Sequence, residues 1–159
     1  MSMRSQLLIN EVIDRQPPLS SREVSRFTAT EIREAIAKLV VDDRMALAQA
    51  LGDAGLSLYP NHPEILAIAT LLAEIRHDWI AADSLIEQLV HIQGDGTPVV
   101  TWQHWVRILR SQCEHQKALK VVKAALTLYP DQPVLLQERL SLTELLGDTN
   151  TMPFSTRVQ

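Results

Sequence analysis

Two twelve-residue segments of this sequence are nearly the same, and their separation constrains the fold more than any other feature. Residues 55–66 read GLSLYPNHPEIL and residues 125–136 read ALTLYPDQPVLL, so both follow the pattern small-Leu-x-Leu-Tyr-Pro-x-x-Pro-x-x-Leu. Their offset of 70 residues is about twice the length of a helix–turn–helix repeat. A further repeat is therefore expected between them, and equivalent residues recur at its spacing: Ala48, Ala82 and Ala118, and likewise Pro60, Gly94 and Pro130.

The residues within each repeat favour helices. Aromatic residues make up only 4% of the chain and glycine occurs five times, which is typical of aliphatic helix packing rather than of a β-sandwich or barrel. Thr28 and Glu31 have the spacing of a capping box, and three prolines suit first helical turns. Those prolines are Pro63, Pro98 and Pro133, and apolar stripes at helical spacing follow at Ile65, Ile68, Ala69, Leu72 and Ile75 and at Leu85, Ile86, Leu89 and Val90.

The third repeat, which begins near Val99, carries an early aromatic residue, a small residue that opens the second helix, and a closing proline. These are Trp102, Ala118 and Pro130, with Val122 and Ala125 at the later apolar and small positions. In these positions the chain resembles the tetratricopeptide repeat (TPR) family, and specifically a small bacterial-type TPR protein. Weaker matches from about Pro63 and about Ala29 extend the resemblance over residues 29–147. It departs from the family at Gly52 and Gly55, where bulkier residues or alanine are usual, and at Gly94, which replaces a closing proline.

The resemblance implies an all-α fold, a right-handed superhelix of antiparallel helix pairs. About three repeats (29–62, 63–96 and 97–132) and a capping helix (133–147) would form an array over residues 29–148. Residues 1–28 are expected to form an N-terminal arm, in which an amphipathic helix over 3–15 carries Leu7, Leu8, Val12 and Ile13 on one side and ends at Pro17 and Pro18. Residues 149–159 are polar and aperiodic and are expected to form a flexible tail.

Several classes of function are disfavoured by charge and motif content. The net charge of −4, with four basic and eleven acidic groups (a net of −7) over residues 29–98, argues against nucleic-acid binding. No apolar run is long enough to cross a bilayer, and we expect neither a signal peptide nor membrane insertion. A single cysteine, Cys113, suits a reducing cytoplasm. We expect no cofactor and no metal, because His104, Cys113 and His115 lie at opposite ends of one predicted helix and its turn.

In TPR proteins the first helix of each repeat lines a concave groove that takes a peptide of another protein. Carried over to this sequence, the resemblance implies a groove that is apolar in the middle, with two arginines toward one end. Arg107 and Arg110 are one helical turn apart and could grip a carboxylate, or they could belong to a solvated face with partners in their own helix. The groove positions are Arg33, Ala37, Val40, Glu64, Ala67, Leu71, Glu74, Gln103, Arg107, Arg110, Gln137, Ser141 and Glu144.

Two classes of function stay open, and neither is an enzyme. The first is a protein–protein interaction module, an adaptor or chaperone, and the chain is similar in size and organisation to the cytoplasmic chaperones of bacterial type III secretion. The second is a structural subunit that forms a homodimer through residues 1–28 or docks into a larger complex such as a secretion apparatus. If the amphipathic arm packs on its own array, the groove is the working surface; if it reaches another chain, assembly is the function.

Overall fold

The computed structural model describes residues 1–14 and 20–150, with side chains described as far as Gly147. These residues contain no strand, and the chain divides into two compact units, residues 1–94 and 95–159. The helices are α1 (Met3–Asp14), α2 (Ser21–Val24), α3 (Ala29–Val41), α4 (Met45–Leu58), α5 (Pro63–Ile75), α6 (Trp79–Gln93), α7 (Val99–Ser111), α8 (His115–Leu128) and α9 (Pro133–Asn150), with a 3-10 turn at Gly94–Gly96.

Helix pairs build the N-terminal unit. Helix α3 pairs with α4 and α5 pairs with α6, while α5 also packs on both helices of the preceding pair. The N-cap Thr28 accepts a hydrogen bond from the Glu31 amide, and the Glu31 carboxylate accepts one from the Thr28 amide, so the predicted capping box is confirmed. His62 caps α5 and Pro63 is its first residue, as expected for a residue that has no N–H to satisfy.

The predicted arm is a shortened helix pair stacked in front of the first repeat. Helix α1 packs on α3 and α2 packs on α4. Leu8 and Ile9 are buried, whereas Leu7 and Ile13 are exposed, so the predicted apolar side of α1 was rotated from the one that packs. The predicted stop at Pro17 and Pro18 lies outside the described residues.

Small residues bring the helices together. Ala48, Ala82 and Ala118 are all fully buried, as their common spacing predicted. A Cβ atom added at Gly52 would lie 2.7 Å from the Cδ1 of Leu72, and one at Gly55 would lie 3.3 Å from the Cγ2 of Ile32. Gly52 and Gly55 therefore allow α4 to approach α5 and α3 closely.

The turn within each helix pair repeats the same backbone geometry. Asp43, His77 and Cys113 all have a left-handed φ, between 57° and 60°. In the third turn the Cys113 amide donates to the Arg110 carbonyl and the Glu114 amide donates to the Leu109 carbonyl, and the other two turns contain the same pair of bonds. These bonds satisfy carbonyl groups that the first helix would otherwise leave without partners at its end.

A tyrosine joins the end of a repeat to its beginning, once in each unit. The Tyr59 hydroxyl donates to the Phe27 carbonyl at 2.8 Å, and the Tyr129 hydroxyl donates to the Thr97 carbonyl at 2.8 Å. Both bonds span 32 residues, so the recurring Leu-Tyr-Pro sequence has a structural role that is the same in both places.

In the C-terminal unit, α8 packs against both α7 and α9. Trp102 and Trp105 are buried on α7 with their ring centroids 6.1 Å apart, so they act as packing residues. Three details differ from prediction. Pro98 is the N-cap of α7 rather than a residue of its first turn, Ile75 is exposed rather than part of the core stripe, and α9 runs beyond 147 to Asn150. The rest of the predicted tail, residues 151–159, lies outside the described residues.

Candidate partner-binding groove

A cavity of about 730 Å³ lies between α7 and α9 in the C-terminal unit. In the N-terminal unit the corresponding helices α3 and α5 pack directly on each other. We refer to the cavity as the α7–α9 groove. Its walls are formed by Val100, Gln103, His104, Arg107, Arg110 and Ser111 of α7 and by Val134 and Glu138 of α9.

The α7 wall follows from helix geometry. Its other residues lie three, four or seven positions from Arg107, so they form one face of the helix. The opposite face is buried and contains the two stacked tryptophans together with Val106, Ile108 and Leu109. This division into a buried aromatic and aliphatic face and a polar groove face makes α7 strongly amphipathic.

Arg110 connects the two walls. Its Nη1 lies 3.0 Å from the Glu138 Oε2, and its Nη2 donates to the Ser141 hydroxyl at 3.3 Å. Both charged side chains are about one-third exposed, so the pair is partly protected from water. The pair fixes the direction of the guanidinium group, whose remaining N–H groups stay available as donors. Arg107, one turn earlier on the same face, is exposed.

Only some of the predicted positions in the C-terminal unit line the α7–α9 groove. Gln103, Arg107 and Arg110 all line the groove. On α9, Gln137 and Glu144 are exposed and do not line the groove. Ser141 contacts a residue of the lining, because its hydroxyl accepts a hydrogen bond from Arg110. Sequence reasoning missed Val134 and Glu138, which lie on the wall instead, and also Val100, His104 and Ser111. Counting three, four and seven positions from Arg107 would have found the last three.

In the N-terminal unit the predicted positions occupy the faces of α3 and α5. The Arg33 Nε donates to the Glu64 Oε2 at 2.8 Å, and the Thr30 hydroxyl donates to the other oxygen of Glu64 at 3.1 Å. Arg33 is therefore engaged with the neighbouring helix. Ala37, Val40, Ala67 and Glu74 are half-buried, and Leu71 is 43% exposed.

Polar contacts hold α1 on α3 in the same unit. The Glu34 Oε2 accepts hydrogen bonds from the Ser5 hydroxyl at 2.6 Å and from the Ser2 amide at 3.0 Å. These two bonds stabilise the charged form, and they hold the pKa of the Glu34 carboxyl below its usual value. Arg4 adds an ion pair to Glu31 at 3.3 Å, and its guanidinium lies 5.7 Å from the centre of the Phe27 ring. The arm is thus bound to its own chain.

Within residues 1–14 and 20–150, no three His, Cys, Asp or Glu side chains come together as a metal ion would require. Cys113 is exposed in its turn, at the end of α7. None of the helices in this part of the chain combines the length and the apolar character needed to cross a bilayer.

The described residues define an all-helical, TPR-like fold. No family model matches the sequence, and no curated protein matches it either. Solved structures do match. One of them, named "MamA RS-1 ArsTM double mutant", superimposes with a TM-score of 0.64 over 94% of this chain and 89% of that chain, at 15% sequence identity. At this identity the likeness concerns the fold alone, and it supports a TPR-like helical arrangement.

Proposed function

We propose that this chain is a non-catalytic protein–protein interaction module, an adaptor or chaperone, which binds a segment of a partner protein in the α7–α9 groove. The observation that carries the proposal is the groove itself: a cavity of about 730 Å³ lined by valines, by two arginines and by hydrogen-bonding side chains. A TPR-like fold suits this role, because its function lies in the surface that stacked helices present. The cytoplasmic location expected from the sequence stays a prediction.

The packing of α1 favours the groove over assembly through the arm. Leu8 and Ile9 are buried in the chain's own core, and Glu34 and Glu31 hold the polar side of α1. An arm that reached another chain would need these contacts to be given up. The outer side of α1 still presents Met3 and Leu7 to solvent, so self-association through that side is the second candidate.

Peptide selection tests the groove. The full chain would be immobilised and used to select from a library of displayed random peptides, and the affinities of the enriched peptides would be measured by fluorescence anisotropy. We expect Arg107→Glu to weaken these peptides at least tenfold. Lys120→Glu makes the same charge change on the exposed face of α8 and should leave their affinities unchanged. If no peptide is enriched, or if both variants bind equally well, the groove is not the binding site.

Light scattering tests the second candidate. Removing α1 would expose core residues, so the informative variant is Met3→Glu combined with Leu7→Glu, which changes only exposed positions. A wild-type monomer supports the groove as the working surface. A wild-type dimer that the double variant converts to a monomer would instead make the outer side of α1 an assembly interface.

A further inference from the structure

The last helix, α9, has the sequence of the first helix of a repeat. The offset of 70 residues that relates the two Leu-Tyr-Pro segments also relates α9 to α5, so Leu140 and Thr143 correspond to Thr70 and Ala73. Helix α5 pairs with α6, just as α3 pairs with α4 and α7 with α8. Within the described part of the chain, no helix follows α9 to pair with it in this way.

The positions that correspond to Leu140 and Thr143 are buried in all three complete pairs. They are Ile36, Thr70 and Val106 at the first position and Leu39, Ala73 and Leu109 at the second. In α9, by contrast, Leu140 is 62% exposed and Thr143 is also exposed. Leu136, one turn before Leu140, is half-buried. This side of α9 therefore presents to solvent the surface that a second helix covers in the other repeats.

The exposed surface forms a straight stripe with the spacing of a coiled-coil seam. Leu136, Leu140, Thr143 and Gly147 are separated by four, three and four residues, like the alternating d and a positions of a heptad repeat. We call these four residues the α9 stripe. A Cβ atom added at Gly147 would meet no atom within 4 Å, so the end of the stripe is open.

The α9 stripe faces away from the α7–α9 groove. Leu136 and Leu140 each lie two residues from Glu138, which lines the groove. At 3.6 residues per turn, two residues correspond to a rotation of about 200° around the helix axis. A helix that packs on the stripe therefore leaves the groove open.

Two oppositely charged side chains flank the α9 stripe and indicate a second copy of the chain as its occupant. Arg139 occupies the g position of the heptad and Glu144 the e position, and both side chains are exposed. In a parallel helix pair, a g residue lies beside the e residue five positions further along the other helix. Arg139 of one copy then meets Glu144 of the other, and twofold symmetry forms this ion pair twice.

An antiparallel helix pair lacks this complementarity. It places g beside g and e beside e, so Arg139 would lie near Leu146 of the other copy and Glu144 near Gln137. Neither charged side chain would then meet an opposite charge. The charges therefore favour the parallel orientation.

We propose that two copies of this chain associate through the α9 stripe, with their α9 helices paired in parallel as a short coiled coil. Leu136 and Leu140 supply the apolar contacts, and Arg139 and Glu144 set the orientation. The association is separate from peptide binding in the groove, which lies on another side of α9. Because the seam is only about two heptads long, we expect a weak dimer with a dissociation constant on the order of 10 μM.

Sedimentation velocity of the full chain at about 1–300 μM measures this association. The wild type should show a monomer–dimer equilibrium, and Leu140→Glu should weaken it at least about tenfold, because it places two like charges in the seam. Since Leu140 is 62% exposed, the fold should be retained. Leu145→Glu is the matched control. Leu145 lies on the same helix and is 37% exposed, but it is outside the stripe, so this variant should dimerise like the wild type.

A second variant should strengthen the dimer. Gly147→Ile places a β-branched residue at an a position, which favours parallel two-stranded pairing, and the structure has room for it. We expect the dissociation constant to fall about tenfold. Gly147→Ala raises helix propensity without filling the seam, and it should change the constant by no more than about twofold.

Charge exchange tests the parallel orientation. Arg139→Glu and Glu144→Arg should each weaken the dimer by about fivefold, because like charges then lie side by side. The variant with both substitutions should regain the wild-type constant, since opposite charges are neighbours again. Single variants without effect, or a double variant that does not recover, would rule out the parallel pairing.

The remaining outcomes assign the surface differently. A wild type that stays monomeric at the highest concentration overturns the proposal. If a chain that ends at Asn150 then forms dimers, residues 151–159 of the same chain cover the stripe instead. A dimer that Leu140→Glu leaves intact also overturns the proposal, and its loss in the variant with Met3→Glu and Leu7→Glu would assign the interface to α1.

Discussion

The left-handed turn at Cys113 allows a stability test that depends on backbone geometry rather than on lost contacts. Its φ of 60° costs a residue with a Cβ atom roughly 1–2 kcal/mol, whereas glycine adopts it freely. Glycine gives back about 0.5–1 kcal/mol through the larger entropy of the unfolded chain. Since Cys113 is exposed, little packing changes. We therefore expect Cys113→Gly to raise the free energy of unfolding by about 0.5–1 kcal/mol relative to Cys113→Ala.

The comparison between glycine and alanine is measured by urea unfolding. In a Trp79→Phe background, the fluorescence comes from Trp102 and Trp105, both buried in the C-terminal unit that contains the turn. The slope of the unfolding free energy against urea concentration should be the same for both variants, so that a difference in midpoint reports a difference in stability. Lys120 lies inside α8 and provides the control, because there glycine should be less stable than alanine by about 1 kcal/mol.

The test is decided by which of the two variants has the larger free energy of unfolding. If Cys113→Gly is no more stable than Cys113→Ala, the turn does not hold a left-handed residue in solution and the repeated turn geometry is wrong at this site. Relative to the wild type, Asp43→Gly and His77→Gly should stabilise less than Cys113→Gly, because aspartate and histidine tolerate the left-handed region better than most residues.

Further predictions concern the repeat ends and the docking of α1. Tyr59→Phe and Tyr129→Phe should each lower the free energy of unfolding by about 0.5–1.5 kcal/mol through loss of one hydrogen bond, measured by thermal unfolding; no change would mean that water replaces the carbonyl. Leu8→Ala should cost about 2–5 kcal/mol and speed amide hydrogen exchange throughout α1, and unchanged exchange would contradict its core position. The lowered pKa of Glu34 predicts stability that is present above the usual glutamate value near 4.3 and is lost as the pH falls through the lower folded pKa. Hydrogen exchange of α1 should show this loss in the wild type but not in Glu34→Gln.

Local signals in the sequence identified the helices well. The capping box at Thr28 and Glu31, the proline that opens α5, and the common spacing of Ala48, Ala82 and Ala118 all have the predicted place in the structure. Each of these signals depends on residues within one turn or on a repeat that can be read directly from the chain. For the same reason the TPR-like fold could be predicted although no family model matches.

The side that each helix presents to its neighbours was harder to predict. Apolar residues nearly surround α1, and the choice of Leu8 and Ile9 over Leu7 and Ile13 depends on α3, where Glu34 accepts a hydrogen bond from the Ser5 hydroxyl. Sequence periodicity contains no information about that partner.

The groove shows the same limitation. Three of the six α7 residues on the wall were named from the sequence, Gln103, Arg107 and Arg110, because they share one helical face. The wall on α9 depends on how that helix is rotated against α7. The ion pair between Arg110 and Glu138 shows this rotation in the structure, but the sequence gives no sign of it. The left-handed turn at Cys113 also has no local signal, since glycine is absent there.

The tyrosine hydrogen bonds hold together the two ends of each repeat that contains one. Because the Tyr59 hydroxyl reaches the Phe27 carbonyl, and Tyr129 does the same to Thr97, the chain leaves such a repeat close to where it entered. A segment whose ends meet can be inserted, duplicated or circularly permuted with little disturbance to the rest of its unit. The loops after Tyr59 and Tyr129 are therefore sites at which an array of this kind can be lengthened by whole repeats, and at which an engineered module can be inserted.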